Sequence, residues 1–233
     1  MYGFDGRVRF SEIDHTERMT MPALVNYFQD CSIFQSEDIG LGIEKLKEEK
    51  RAWILSAWQI EVNRYPMLGE KIRTSTWATG FEGFFGTRNF QMVKEDGEVL
   101  AYANSIWIFM DVEKGRPVRP GEEDIASYGT EKALDMEYAP RKIALPKESC
   151  PGESFPVRRY QIDTNEHVNN CQYIQMAVEA LPECERAKRI RVEYKKSAVL
   201  GDRIYPSIAR EETRKVAVLG DEAGKPYAVV EFR

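Results

Sequence analysis

Tyr160-Gln-Ile-Asp-Thr-Asn-Glu-His-Val-Asn-Asn-Cys-Gln-Tyr-Ile-Gln-Met176 passes from a strand-like run, through a polar cluster, into an amphipathic segment. Apolar side chains then recur at helical spacing until Pro182, namely Tyr173, Ile174, Ala177, Val178 and Leu181. Asparagine favours helix starts and proline follows helix ends, so we expect a helix from about Asn169 to Leu181. His167, one of two histidines, should lie just before its N-terminus, where unpaired N–H groups favour negative charge.

Two pairs of segments in the chain resemble each other. Val8-Arg-Phe-Ser-Glu-Ile-Asp14-His-Thr-Glu17 aligns with Val157-Arg-Arg-Tyr-Gln-Ile-Asp163-Thr-Asn-Glu166 at an offset of 149, the difference between 163 and 14. Further on, Glu61–Ile72 aligns with Glu193–Ile204 at an offset of 132, the difference between 204 and 72. Because both matches occur in the same order, they predict a duplicated unit.

Length and composition limit the class of protein. The chain has 233 residues, 42% of them hydrophobic, which suffices for two domains of about 100 residues. A net charge of −5 argues against nucleic-acid binding, and no apolar run reaches the ~20 residues of a membrane span. The mixed, charged start predicts a soluble cytoplasmic protein. The four cysteines lack Cys-x-x-Cys spacing, so we expect reduced thiols and no metal site.

Each repeat is predicted to be an α+β unit, with one helix followed by a meander of strands. In the first repeat, Thr20 and Pro22 open a helix whose apolar face is Leu24, Tyr27, Phe28, Cys31 and Phe34, and a short helix covers Glu44–Glu49. Its strands are expected at Val8–Ile13, Trp53–Val62, Ile72–Ala78, Phe85–Lys94 and Val99–Met110. Those of the second are expected at Ile190–Lys195, Arg203–Ala209, Lys215–Leu219 and Tyr227–Phe232.

The domain boundaries follow from composition. A segment rich in proline, glycine and charge predicts a linker at 126–153, which separates an N-terminal unit, 1–125, from a C-terminal unit, 154–233. One long helix wrapped by a curved antiparallel sheet, occurring twice, is typical of the tandem, or double, hot-dog architecture. Fusion supplies internally the pairing that single units obtain by dimerising, so either a monomer or a homodimer fits.

Several motifs resemble those of the acyl-acyl carrier protein (ACP) thioesterases of plants and bacteria. In the second half these are Asp163-x-Asn165-x-His167-Val-Asn169-Asn170, Tyr173-Ile174 and Val192-Glu-Tyr-Lys-Lys196. In the first half they are Trp53-Ile54, Arg64-Tyr-Pro66, Gly69, Thr76-Trp77, Arg88 and Ala103-Asn-Ser-Ile-Trp107. The likeness spans nearly the whole chain, and its Asp-x-Asn-x-His-Val-Asn-Asn string is more specific than a bare Asp-x-x-x-His.

The resemblance implies an enzyme that hydrolyses fatty acyl-ACP thioesters, with ACP as partner and no cofactor. It implies catalytic roles for Asp163, Asn165 and His167, and an acyl-binding N-terminal unit. Plant members carry a catalytic carboxylate followed by Cys where this chain has Ser197 and Ala198, so the fourth catalytic group is open. Glu193 is a poor substitute, because four residues along a strand span ~13 Å.

Thioester hydrolysis needs an activated water and stabilisation of an oxyanion. His167 or Asp163 would relay the proton, Asn165 would orient water or carbonyl, and helix N–H groups would bind the oxyanion. Structural alternatives stay open: His167 and Asp163 can serve a cap or a turn, as the matching Asp14 suggests, and Asn169 and Asn170 can be helix caps. The remaining auxiliary candidates are Cys171, four residues after His167, as a nucleophile, and Ser197 as a water ligand.

The first copy has Thr16 and Arg18 where the second has Asn165 and His167, which predicts one active site per chain. A basic cluster is the candidate docking surface for ACP, unless it is only a solvated face: Lys188, Arg189, Arg191, Lys195 and Lys196, with Arg158 and Arg159 nearby. Alternative functions are a non-catalytic acyl-thioester sensor, a hot-dog dehydratase and an acyl-CoA thioesterase.

Overall fold

Antiparallel strands and a few helices make up the computed structural model, which describes all 233 residues. The chain divides into two units. The first comprises Met1–Ser56 with Val62–Ala139, and the second comprises Ala57–Glu61 with Pro140–Arg233. Each unit has one long helix and its own antiparallel strands, so the predicted α+β class holds for both.

The first unit orders its long strands β1-β3-β4-β5-β2. Its elements are β1 (Tyr2–Arg7), α1 (Met21–Asp38), α2 (Ile43–Glu48), β2 (Arg51–Val62), β3 (Lys71–Glu82), β4 (Phe85–Lys94), β5 (Val99–Asp111), β6 (Arg116–Pro117) and α3 (Glu122–Tyr128). Helix α1 buries Leu24, Tyr27, Phe28 and Cys31 of its predicted apolar face, and the Phe28 ring lies 5.4 Å from that of Phe90. Phe34, predicted on the same face, is 44% exposed, so that part of the prediction is wrong. The element bounds confirm the four strands predicted from Trp53 onward, whereas β1 and α3 were not predicted.

The second unit orders its strands β9-β12-β11-β10-β7, and Ala57–Glu61 pairs with β9 on the other side. Its elements are β7 (Cys150–Pro151), β8 (Phe155–Pro156), α4 (Asn170–Ala180), β9 (Arg189–Tyr194), β10 (Arg203–Arg210), β11 (Lys215–Gly220) and β12 (Pro226–Phe232). All four predicted strands and the predicted helix are present. Helix α4 buries Tyr173, Ile174 and Ala177, as its apolar spacing indicated.

The segment Val8–Ile13 is not a strand, and the strand-like interpretation of its second copy is also wrong. A 3₁₀ turn occupies Phe10–Glu12 in the first copy and Arg159–Gln161 in the second. In each copy an acceptor three residues on draws the backbone into the turn. Glu12 Oε2 accepts the Arg9 N–H at 2.8 Å, and Gln161 Oε1 accepts the Arg158 N–H at 2.7 Å. This local bond competes with strand pairing.

The two sequence repeats correspond to repeated local structure. Bridges link Ile13 to Met19 and Arg18 to Met67 in the first copy, and Ile162 to Val168 and His167 to Val199 in the second. These pairs reproduce both offsets. Glu17 and Glu166 each adopt a left-handed backbone, with φ of 60° and 61°. The helices that follow are capped by Thr20 and Asn169.

Residues predicted as a linker are hydrogen-bonded within the units. In the first unit, Glu131 N–H donates to Ala78 O at 2.9 Å, and Asn89 Oδ1 accepts the Leu134 N–H at 2.9 Å. In the second unit, Ile143 N–H donates to Glu193 Oε2 at 3.0 Å. Proline and glycine content therefore marks an irregular segment here, but one with specific contacts.

Candidate active site

Asp163 organises the turn that carries the polar trio of Asp163, Asn165 and His167. Its Oδ1 accepts the N–H of Asn165 at 2.8 Å and that of His167 at 3.3 Å. The Asp163 N–H donates to the His167 carbonyl at 2.8 Å, which closes the turn. The structure therefore holds the three residues in one turn, and it gives Asp163 the structural role that was left open.

The side chains of Asn165, His167 and Ser197 are exposed, whereas Asp163 is half-buried. The His167 imidazole and the Asn165 amide make no hydrogen bond within the chain, so both can meet a ligand or water. No group of three His, Cys, Asp or Glu side chains is placed to hold a metal ion. The side chains of the turn offer an imidazole, a carboxylate and an amide.

Asn169 caps helix α4 and uses up two of its free N–H groups. The side-chain Oδ1 accepts the Cys171 N–H at 2.9 Å, and the backbone carbonyl accepts the Gln172 N–H at 2.9 Å. The Asn170 N–H has no acceptor within the chain. The Asn170 N–H is thus the helix-start donor that stays open for an oxyanion. Asn170 is the first residue of the helix and not its cap, so the cap prediction holds for Asn169 and is wrong for Asn170.

Two tyrosines hold the backbone around the turn. The Tyr173 hydroxyl accepts the Ala198 N–H at 2.8 Å, and the Tyr194 hydroxyl donates to the Asn170 carbonyl at 2.9 Å. The Val168 N–H donates to the Ala198 carbonyl at 2.9 Å, so the loop of Ser197 lies directly beside the trio. Burial raises the pKa of Tyr173 to about 12. The sequence placed Tyr173 on the apolar face of the helix and in the Tyr173-Ile174 motif, but the bond of its hydroxyl to the Ala198 backbone was not predicted.

The Cys171 nucleophile hypothesis assumed that His167 and Cys171 share a helix. Helix α4 begins at Asn170, so the i, i+4 geometry does not apply. The Cys171 side chain is also buried, at 1% exposure, whereas His167 is exposed. Cys171 is a core residue of the second unit, and that hypothesis is wrong.

Comparison with known proteins decides the family. The acyl-ACP thioesterase N-terminal domain model matches residues 3–128, and the acyl-ACP thioesterase C-terminal domain model matches residues 146–222. The chain belongs to the acyl-ACP thioesterase family. The resemblance seen in the motifs is confirmed.

Relatives of this family member include a chloroplastic acyl-[acyl-carrier-protein] hydrolase of Cuphea viscosissima, 25% identical over 94% of this chain and 61% of the relative. The chain spans about three fifths of the length of such plant relatives. An acyl-ACP thioesterase structure from Bacteroides thetaiotaomicron superposes with a TM-score of 0.87 at 24% identity, covering 99% of this chain and 96% of the other. A putative oleoyl thioesterase from Lactobacillus plantarum gives 0.86 at 23%, covering 99% and 94%. These two structures show the fold.

Two arginines of the predicted docking cluster form ion pairs within the second unit of this family member. Arg191 is 9% exposed, pairs with Glu231 at 3.4 Å and donates to the Pro140 carbonyl at 2.5 Å. Arg189 is half-buried and pairs with Glu61 at 2.6 Å. Strand alternation places both on one face of β9, where carboxylates of the unit neutralise them, so neither is presented to a partner.

The lysines of the cluster are exposed but separated. Lys188 precedes β9 and Lys195 follows it, so the seven residue steps between them put their Cα atoms about 23 Å apart. Lys195 pairs with the buried Glu193 at 2.8 Å, and Lys196 pairs with Asp221 at 2.5 Å. The predicted cluster is therefore not one compact patch.

None of the helices combines the length and apolar content that crossing a membrane requires.

Proposed function

We propose that this chain hydrolyses fatty acyl-ACP thioesters to a free fatty acid and holo-ACP. The observation that carries the proposal is the closed turn in which Asp163 holds Asn165 and His167. This turn stands next to a helix start with an open N–H at Asn170. Family membership and the names of the relatives support the same reaction class.

We assign the proton relay to His167. Its imidazole is exposed and makes no bond within the chain, whereas Asp163 Oδ1 already accepts two backbone N–H groups. A well-placed base contributes about 10²–10⁴-fold to the rate. The second carboxylate oxygen, Oδ2, then orients water together with the Asn165 amide, and water attacks the thioester carbonyl. The thiolate is a good leaving group, so a strong general acid is not required.

Stabilisation of the tetrahedral oxyanion falls to the Asn170 N–H at the start of α4. The helix dipole adds to this donor, because partial positive charge collects at a helix N-terminus. Ser197 takes the place of the carboxylate found in plant members. Its hydroxyl is exposed and makes no bond within the chain, and its loop is fixed beside the turn, which suits a group that holds the attacking water.

The architecture proposed for the chain is a tandem hot-dog that arose by duplication, with functional segments 1–125, 126–153 and 154–233. The long helix of each unit and the matching turns support it. The C-terminal unit carries the chemistry and the N-terminal unit holds the acyl chain. Docking of acidic ACP falls to the exposed basic residues of the second unit: Arg158, Arg159, Lys188, Lys195 and Lys196.

The decisive experiment is a panel of ACP and CoA thioesters of graded chain length, scored for released thiol and for enoyl absorbance. The proposal predicts thiol release without enoyl product, faster from ACP than from CoA thioesters. Binding without thiol release would identify a sensor. Enoyl absorbance without thiol would identify a dehydratase, and equal rates on CoA thioesters would remove the specificity for ACP.

A further inference from the structure

Arg88 is a buried guanidinium in strand β4 of the first unit, and no carboxylate accompanies it. The arginine is 7% exposed. Nη1 donates to Gln35 Oε1 and, at 3.1 Å, to Thr76 Oγ1, both neutral acceptors. Nε and Nη2 have no acceptor within the chain. Burial lowers the pKa of Arg88 to about 10, so the group still carries its charge near neutral pH.

Such a group is costly to keep inside a folded unit. A buried charge is tolerated when an opposite charge and hydrogen bonds compensate it, and Arg88 has hydrogen bonds to two neutral acceptors but no opposite charge. Elsewhere in the chain, buried arginine is paired: Arg191 meets Glu231. The uncompensated charge at Arg88 is therefore an exception within this protein, and it requires a reason other than stability.

Aromatic side chains stand next to the guanidinium. Its central carbon lies 5.5 Å from the centre of the Tyr128 ring. That ring is in turn 6.3 Å from Trp53 and 6.1 Å from Phe81. The Tyr128 hydroxyl is 3.0 Å from Ser36 Oγ, which ties helix α3 to helix α1. A cation with two open N–H groups beside an aromatic wall matches a ligand that has an anionic end and an apolar body.

A purely structural role explains less. The ring contact and two neutral acceptors soften the burial of the charge, but they leave Nε and Nη2 unused and supply no negative charge. Two parallel N–H donors on a planar guanidinium fit a carboxylate in bidentate fashion. An aliphatic carboxylate satisfies the charge, the donors and the apolar neighbours together.

We propose that Arg88 binds the carboxylate of an aliphatic acid inside the first unit. That carboxylate has two sources: a free fatty acid, or a second carboxyl group on an acyl chain. Binding of a free fatty acid does not depend on hydrolysis, so it can be tested whether or not the chain is a thioesterase. The second source rests on the proposed hydrolase function.

The first arm of the test is calorimetric titration of the intact chain with decanoate and with decan-1-ol, its neutral analogue. The proposal predicts at least tenfold tighter binding of decanoate. R88Q should abolish this preference, and R88K, which keeps the charge but not the fork, should retain part of it. Arg73→Gln serves as the control, because Arg73 on neighbouring β3 is exposed and paired with Asp5 at 2.8 Å. It should bind decanoate as the wild type does.

The second arm compares hydrolysis of decanoyl and decanedioyl thioesters. If the carboxylate belongs to the substrate chain, the wild type prefers the decanedioyl thioester about tenfold and R88Q loses that preference. Because a ratio is measured, loss of all turnover in R88Q is distinguishable from loss of selectivity. Should R88Q fail to fold, the wild-type preferences and R88K decide. Absence of any carboxylate preference in both arms overturns the proposal, as does an R88Q variant with unchanged preference.

Discussion

The turns at Asp14 and Asp163 share a backbone and differ in their side chains. Both aspartates accept the N–H two residues on at 2.8 Å, and both turns contain a glutamate with positive φ. The differences fall at His15 against Thr164, at Thr16 against Asn165 and at Arg18 against His167. The residues that build the backbone of the turn are thus repeated, whereas the Asn165 and His167 pair of the proposed trio is found in the second turn alone. The first turn does contain a histidine, His15, but its position in the turn differs from that of His167.

A second difference between the copies lies in the loop facing each turn. At the offsets of the repeats, Leu24 and Pro66 stand where the second copy has Tyr173 and Ala198. Proline has no N–H to satisfy, and leucine has no hydroxyl to accept one. The second copy has both partners, and they bond at 2.8 Å. Beside the polar trio, a side chain of the following helix therefore fixes the loop.

The largest expected effect separates His167 from Arg18, which occupy equivalent positions. His167→Ala should lower thiol release from acyl-ACP by about 10²–10⁴-fold, because it removes the proposed base. Arg18→Ala should leave the rate within about twofold. A normal rate for His167→Ala would contradict the assignment of the proton relay.

The two aspartates provide the next test. Asparagine keeps an Oδ1 that can accept the same N–H bonds, so Asp14→Asn and Asp163→Asn should each cost no more than about 1 kcal/mol of stability in urea unfolding. Turnover should fall about 100-fold for Asp163→Asn alone. Equal turnover in both variants would leave Asp163 with only its structural role.

Tyr173→Phe is expected to have an intermediate effect. It leaves the Ala198 N–H without an acceptor, which costs about 1–3 kcal/mol. Movement of the Ser197 loop should lower kcat about tenfold with little change in KM. Tyr205→Phe in the same unit is the control, since the Tyr205 hydroxyl makes no hydrogen bond within the chain. A stability loss without any change in kcat would show that the loop does not position the reaction.

The smallest effect concerns Glu17 and Glu166, whose φ values are 60° and 61°. A left-handed conformation is strained for residues other than glycine, so glycine at either position should raise the free energy of unfolding by about 0.5–1 kcal/mol. The gain should be similar in both copies. A gain in one copy and a loss in the other would show that the two turns are not equivalent.

Most of the sheet could be predicted because its strands are long, rich in β-branched and aromatic residues, and separated by turn residues. The 3₁₀ turns were missed because Glu12 and Gln161 act through a local bond to the backbone, which periodicity does not reveal. The polar trio could be predicted because it is contiguous in sequence. The docking cluster was overestimated, since nothing in the sequence showed that Arg191 pairs with Glu231, forty residues away.

Tyr173 and Arg88 illustrate a further limit of sequence reasoning. Each sits in a pattern that predicts its element correctly, a helix face for one and a strand for the other. Their polar atoms matter through partners that are distant in sequence, or through the lack of one. Only the folded structure shows which hydrogen-bond partners these polar atoms have and which they lack.

The central claim is that side chains found in the second turn, and not the backbone that both turns share, carry out the chemistry. The most direct measurement replaces the two proposed functional side chains with those at the matching positions of the first turn, as the double variant Asn165→Thr with His167→Arg. Because Thr16 fits the first turn and bonds to Asp14 at 2.7 Å, the fold should persist, with unfolding within about 1 kcal/mol of wild type. Thiol release from acyl-ACP should fall at least about 10³-fold, in line with loss of base and water ligand together. A double variant that folds and still hydrolyses acyl-ACP at the wild-type rate would contradict the claim.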